Sequence, residues 1–84
     1  MTGQVQVRLF AAARAAAGTG SRPVAAGLTL AEVNDLLARE HSPDLARVLQ
    51  GCSFLVDGRR TDRTSTTPLA PGTTVEVLPP FAGG

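Results

Sequence analysis

The chain has 84 residues and a formal net charge of +1, and its 8 basic residues are all arginines. A chain this short folds as one domain with one modest core and has little room for an enclosed active site. The charge gives no nucleic-acid signature. The 1 cysteine, Cys52, excludes an internal disulfide and a cysteine-based zinc site, and no apolar run is long enough to cross a membrane. These features predict a cytoplasmic protein without a metal, nucleic-acid or membrane partner.

The first predicted element is a half-buried strand, because QVQVRLF at positions 4–10 alternates apolar and polar residues. Its apolar face carries Val5, Val7 and Leu9. Phe10 falls on the polar face, where an aromatic side chain is out of phase. The alanine-rich stretch that follows predicts a helical turn ending at Gly18, and VAA at 24–26 predicts a short second strand.

The clearest predicted helix begins at Thr29, and Glu32 stands three residues later, at the spacing of a capping box. Its apolar stripe at helical spacing consists of Leu30, Val33, Leu36 and Leu37. A second helical segment follows, with Pro43 at its first position and Gly51 as its stop. We expect the first of these two helices to anchor the core.

Three further strands complete the predicted sheet. Asp57-Gly58 is a strong hairpin signal and separates CSFLV from a short strand. The last strand, TTVEVL, follows a turn at Pro71-Gly72. The order of elements predicts an α+β fold with one main helix packed on one face of a mixed sheet. The other face carries three apolar side chains, Phe10, Leu55 and Leu78, and such a patch suggests a partner.

The ending LPPFAGG follows the last strand directly. Its two prolines remove N–H donors, so we expect residues 79–84 to form an extended flexible tail beyond a domain of residues 1–78. Gly83 and Gly84 have no side chains and can enter a slot too narrow for other residues. Adenylation by ATP would turn the carboxylate of Gly84 into an acyl donor, from which a sulfur nucleophile can displace AMP. The alternative is a tail whose glycines are incidental.

Two other reactive side chains have simpler interpretations. Cys52 lies on the predicted core face, where a packed thiol is expected rather than a persulfide site. His41 lies between helical segments without an evident partner and is expected to be a solvated loop histidine. The sequence shows neither a Ser/His/Asp arrangement nor a metal-binding cluster.

The order of elements, LFAAARAAAG at 9–18, TPL at 67–69 and VEVLPPFAGG at 75–84 together resemble one known family over essentially the whole chain. This is the small subunit of molybdopterin synthase, the MoaD family of ubiquitin-like sulfur carriers. The resemblance implies a ubiquitin-like β-grasp fold. The chain departs from the family in the segment DGRRTDRTST at 57–66, which is more polar than the corresponding hairpin.

The resemblance also implies a reaction. A ubiquitin-activating-like adenylyltransferase would use ATP to adenylate Gly84, and a sulfur donor protein would supply the sulfur of a thiocarboxylate. That sulfur would pass to cyclic pyranopterin monophosphate in molybdenum cofactor biosynthesis. The chain would bind no cofactor and perform no independent catalysis, acting in a heterotetramer with the synthase large subunit. The sheet face and the resemblance together predict these partner-binding residues: Phe10, Arg14, Leu55, Leu78, Pro79, Pro80, Phe81, Ala82 and Gly83.

Other functions stay open at this point. Sulfur carriers for thiamin or cysteine biosynthesis share the fold and the Gly-Gly ending, although the Pro-Pro step favours the molybdopterin branch. A ubiquitin-like modifier would share the activation step but end in an amide to a target lysine. A different class is a non-catalytic β-grasp interaction module, which would bind through Phe10, Leu55 and Leu78. A residue added after Gly84 separates carrier from module, because only a carrier needs the free carboxylate.

Overall fold

A computed structural model describes residues 3–40 and 43–80 of the chain. These residues form five strands and three helices. The elements are β1 (Gln4–Leu9), α1 (Ala11–Ala17), β2 (Ser21–Ala25), α2 (Leu30–Glu40), α3 (Pro43–Gln50), β3 (Ser53–Val56), β4 (Arg59–Thr61) and β5 (Thr74–Leu78). No helix in the described part of the chain is long and apolar enough to cross a membrane.

The five strands form one mixed sheet in the order β2-β1-β5-β3-β4. The central pair, β1 and β5, is parallel, and the other pairs are antiparallel. The helices cover one face of this sheet. This is the α+β, ubiquitin-like β-grasp arrangement. The predicted main helix is α2, which is the longest of the three, and α1 and α3 complete the helical layer.

The core lies between the sheet and the helices. The strands contribute their alternating apolar residues, of which five are at most 1% exposed: Val5, Val7, Leu9, Val75 and Val77. The helices contribute Leu30, Val33, Leu37, Leu45 and Leu49. Burying each such side chain contributes about 1.5–3 kcal/mol, so this cluster is the main source of stability.

The predicted capping box at the start of α2 is confirmed. The Thr29 hydroxyl oxygen accepts the N–H of Glu32 at 3.1 Å, and the Glu32 carboxylate accepts the N–H of Thr29 at 2.9 Å. These reciprocal bonds satisfy two N–H groups that the helix itself leaves unpaired. They fix the position at which α2 begins over the sheet.

The predicted hairpin at Asp57-Gly58 is also confirmed. Both residues have positive φ, +48° for Asp57 and +82° for Gly58, and such a turn matches the twist of the two strands it joins. Asp57 also ties the turn to β5, because its Oδ1 accepts the N–H of Thr74 at 2.8 Å and its own N–H donates to the Thr74 carbonyl at 2.8 Å.

The second strand begins earlier than the predicted 24–26. It runs from Ser21 to Ala25 because its pairing with β1 starts where Ser21 faces Arg8. The strand lies at the edge of the sheet, where Pro23 is tolerated without an N–H to donate.

Replacing Thr29 by alanine removes one arm of the capping box. We expect the free energy of unfolding to fall by about 1 kcal/mol, measured by urea denaturation. Thr66→Ala makes the same deletion at an exposed loop residue whose hydroxyl bonds to nothing in the described part of the chain. Equal losses in the two variants would show that the capping box does not stabilise α2.

Candidate functional site

The face of the sheet opposite the helices, called here the outer face, carries Arg8, Phe10, Leu55, Glu76 and Leu78. The strand register aligns Arg8 with Glu76 and Glu76 with Leu55, so these three form one row across β1, β5 and β3. Two residues beyond Arg8 and Glu76, toward the C-terminal ends of these parallel strands, the chain again faces outward at Phe10 and Leu78. The outer face therefore combines apolar side chains with a charged row.

Phe10 lies just beyond β1 rather than within it, because the strand ends at Leu9. Its backbone stays extended, at φ −124° and ψ 154°, and its N–H donates to the Val77 carbonyl at 3.2 Å. The ring is half-buried, and the guanidinium carbon of Arg8 lies 5.6 Å from the ring centroid. Ala11 follows with a positive φ of +51°, a conformation that costs an L-residue about 1–2 kcal/mol and that turns the chain into α1.

Leu55 and Leu78 are both partly exposed on the outer face. Leu55, on β3, lies opposite Glu76 on β5. Leu78 follows Glu76 by two residues on β5 and faces the same way. The structure thus brings together the three apolar residues that the alternation of the strands assigns to this face. Their contact with a partner stays a prediction.

Arg14 lies outside this patch, although it lies at the same end of the sheet as Phe10. It is exposed on α1, and its side chain runs over Gly20 in the loop before β2. A Cβ at Gly20 would stand 3.2 Å from Arg14 Nε. The side chain therefore covers its own loop, and its predicted partner contact stays untested.

The base of the predicted tail lies against the domain. Pro79 is buried, and Pro80 lies exposed beside Gly51. Burial gives Pro79 a structural role, and the partner contacts predicted for the two prolines stay predictions. The remaining site residues lie outside the described part of the chain: Phe81, Ala82, Gly83 and Gly84. His41 also lies outside it.

Sequence reasoning missed two features at this end of the molecule. The row of Arg8 and Glu76 was visible in the alternation of the strands, which places both side chains outward. The contacts of Arg63 with the loop before β3, described below, had no local signal. Within the described residues, no group of three or more histidine, cysteine or acidic side chains could hold a metal ion.

Cys52 is buried, as the sequence predicts, and its thiol donates to the Val48 carbonyl with an Sγ–O distance of 3.2 Å. Burial raises the pKa of this thiol, and the nearby positive charge of Arg63 offsets the rise only in part. A protonated, buried thiol is a poor nucleophile. Cys52 therefore packs the core and is not suited to carry a persulfide.

The folded chain should react with iodoacetamide at pH 7 about tenfold or more slowly than the chain unfolded in urea, since burial limits both access and the thiolate fraction. Labelling followed by mass spectrometry measures the two rates. As a control, Thr66→Cys in a Cys52→Ser background places an exposed thiol on the same fold. A folded Cys52 that reacts as fast as this exposed thiol would contradict the core assignment.

The chain is similar to known proteins over nearly its whole length. The ThiS family model matches residues 7–84. The solution structure of the Haloferax volcanii HVO 2177 protein is 30% identical with a TM-score of 0.76, over 99% of this chain and 88% of that one. Small archaeal modifier protein 1 from Methanosarcina acetivorans is 26% identical with a TM-score of 0.78, over 100% and 99%.

A third similar structure contains two chains. It is the complex of subunits 1 and 2 of the molybdopterin-converting factor from Helicobacter pylori, with 26% identity and a TM-score of 0.71, over 96% of this chain and 99% of that one. No curated protein matches the chain. The family match spans nearly the whole sequence, and the solved structures are similar over at least 96% of the chain. The chain therefore belongs to the ThiS family and has the ubiquitin-like fold of MoaD-type sulfur carriers.

Proposed function

We propose that this chain is a sulfur carrier that serves as the small subunit of a molybdopterin synthase, with the carboxylate of Gly84 as its reactive group. The observation that carries this proposal is the position of Leu78. It is the last residue of β5 and also belongs to the outer face, and the buried Pro79 follows it directly. A partner that covers the outer face would therefore stand where the tail begins.

The comparisons support this proposal in two ways. The ThiS family match runs through the Gly-Gly ending to residue 84. The Helicobacter pylori neighbour is subunit 1 of a molybdopterin-converting factor in complex with subunit 2. By analogy, the partner of the outer face is a large synthase subunit, in a heterotetramer. The Phe10, Leu55 and Leu78 side chains would supply its apolar contact, and Arg8 and Glu76 would set its orientation through charge.

The chemistry proceeds in two steps at one carbon. A carboxylate oxygen of Gly84 attacks the α-phosphorus of ATP on an adenylyltransferase, releasing pyrophosphate and leaving an acyl adenylate. Hydrosulfide released by a sulfur donor then attacks the carbonyl carbon and loses its proton, AMP leaves, and the C–O bond to AMP is replaced by a C–S bond. The product is a thiocarboxylate whose sulfur is the nucleophile delivered to cyclic pyranopterin monophosphate. Glycine suits this position because the carbon has no neighbouring side chain to obstruct attack.

In this account the chain has no catalytic machinery of its own. The adenylyltransferase binds ATP, and the large subunit binds the pterin. The small domain supplies the acyl group and the surface that orients it. The cytoplasm, where ATP and reduced sulfur donors are available, is the expected location.

A second candidate function rests on the archaeal neighbours. A structure of small archaeal modifier protein 1 matches this chain as well as the synthase subunit does. A modifier would use the same adenylate but would transfer Gly84 to a lysine amine of a target protein. Supplying the activated chain with cyclic pyranopterin monophosphate and large subunit, with the acceptors of thiamin or cysteine synthesis, or with lysine-bearing proteins distinguishes these fates.

Adding one alanine after Gly84 should abolish activation, because the new carboxylate carries a methyl group into a slot built for glycine. The measurement is ATP–pyrophosphate exchange with an adenylyltransferase of this type. A chain with one residue added before Gly3 is the matched control and should exchange normally. Normal exchange by the C-terminally extended chain would contradict the proposal and favour an interaction module with an inert tail.

Leu55→Arg should weaken binding to the large subunit about tenfold or more, the equivalent of ~1.4 kcal/mol. The substitution replaces one of the three apolar side chains of the outer face with a charged one. Titration calorimetry measures the affinity. Ala70→Arg adds the same charge at an exposed loop residue that belongs to no strand and should bind normally. Equal affinities for both variants would show that the partner does not use the outer face.

A further inference from the structure

Arg63 lies in the segment 57–66, which is more polar than the corresponding hairpin of the MoaD family. Its side chain contacts the loop between α3 and β3. One guanidinium nitrogen, Nη2, donates to the Gln50 carbonyl at 2.8 Å and to the Cys52 carbonyl at 2.9 Å. The guanidinium carbon lies 5.4 Å from the centroid of the Phe54 ring. Arg63 thereby holds the two carbonyls on either side of Gly51.

A tight polar turn holds Arg63 in this position. The backbone N–H and the hydroxyl of Thr64 both donate to Asp62 Oδ1, at 2.8 Å and 2.6 Å. The Ser65 N–H donates to the Asp62 carbonyl at 2.9 Å. The bonds from Thr64 lower the pKa of Asp62 by stabilising its carboxylate. The polar residues next to Arg63 therefore hold its backbone in the turn from which its side chain reaches the loop.

The loop that Arg63 holds is the surface on which the base of the tail rests. The pairing of β3 with β5 ends where Ser53 faces Leu78. Gly51 precedes Ser53 by two residues and stands beside Pro80, which follows Leu78 by two residues. A Cβ at Gly51 would lie 3.7 Å from Pro80 Cδ and 3.8 Å from Pro80 Cγ. A methyl group there makes ordinary contact with the proline ring, and a branched side chain such as leucine adds further atoms beside that ring.

We propose that Arg63 is a positioning residue for the reactive tail: by holding the loop around Gly51 it fixes Pro80, the residue from which the tail continues. The reason for holding Pro80 rests on the proposed function, whereas the contacts of Arg63 and Gly51 do not. A tail of four residues spans at most about 13 Å, so it has few bonds with which to correct a displaced base, and a loosened base must be ordered again on every encounter.

The test compares Arg63→Gln with Arg59→Gln. Both remove one positive charge from the same segment, but the Arg59 side chain is exposed and makes no hydrogen bond within the described residues. Two quantities are measured in the folded variants. One is the nuclear Overhauser effect between Gly51 Hα and Pro80 Hδ, with the Ser53–Leu78 pair as an internal standard. The other is kcat/KM for pyrophosphate exchange by the adenylyltransferase.

We expect Arg63→Gln to lose the Gly51–Pro80 signal while keeping the Ser53–Leu78 signal, and to lower kcat/KM about tenfold, the equivalent of ~1.4 kcal/mol. The loss should fall on KM, because the chemistry at Gly84 is unchanged. Arg59→Gln should alter neither quantity. A retained Gly51–Pro80 signal, or a lost signal with unchanged kcat/KM, overturns the positioning role.

A second pair of variants tests the same contact with Arg63 intact. Gly51→Ala should preserve the exchange rate, whereas Gly51→Leu should lower it as Arg63→Gln does. Equal rates for alanine and leucine would overturn the role of the Gly51 surface. If the wild-type chain shows no exchange at all, the proposed function fails, and the Gly51–Pro80 signal in Arg63→Gln still decides whether Arg63 holds the base of the tail.

Discussion

The parallel pairing of β1 with β5 is the constraint on which the rest of the structure depends. It joins the first and last strands of the domain, and both bury their valines completely against the helices. Because the two strands run in the same direction, both end at the same end of the sheet. Phe10 and Pro79 therefore follow the two strands at the same end of the sheet, which is where the proposed function requires both the partner contact and the start of the tail.

This arrangement divides the work among three parts of the chain. The helices and the inner face of the sheet supply stability. The outer face supplies a surface that combines apolar side chains with the row of Arg8 and Glu76. In the proposed function the tail supplies the reacting carboxylate, and the segment around Arg63, although distant in sequence, holds the surface beneath its base. In the proposed function the domain takes part in a reaction because its last carbon reaches another protein's site.

Features set by local sequence were predictable. The capping box of α2, the Asp57-Gly58 turn and the alternation of β5 each depend on residues within one element, and all three were confirmed. The start of β2 was not predictable, because an edge strand begins where its neighbour offers partners. The end of β1 depended on the positive φ of Ala11, which an alanine gives no reason to expect. The contacts of Arg63 depended on a fold that brings residues 50–52 beside it, and the local turn of Asp62 and Thr64 does not reveal those partners.

The central claim is that Gly84 carries sulfur, and intact mass spectrometry tests it most directly. The chain is incubated with ATP, an adenylyltransferase of this type and a sulfide source, in parallel with a chain that lacks Gly84. We expect the full chain to gain the mass difference between one sulfur and one oxygen atom and the shortened chain to gain nothing. An unchanged mass with several competent adenylyltransferases would contradict the role of Gly84 as a sulfur carrier, and would leave the outer face as the functional part of the molecule.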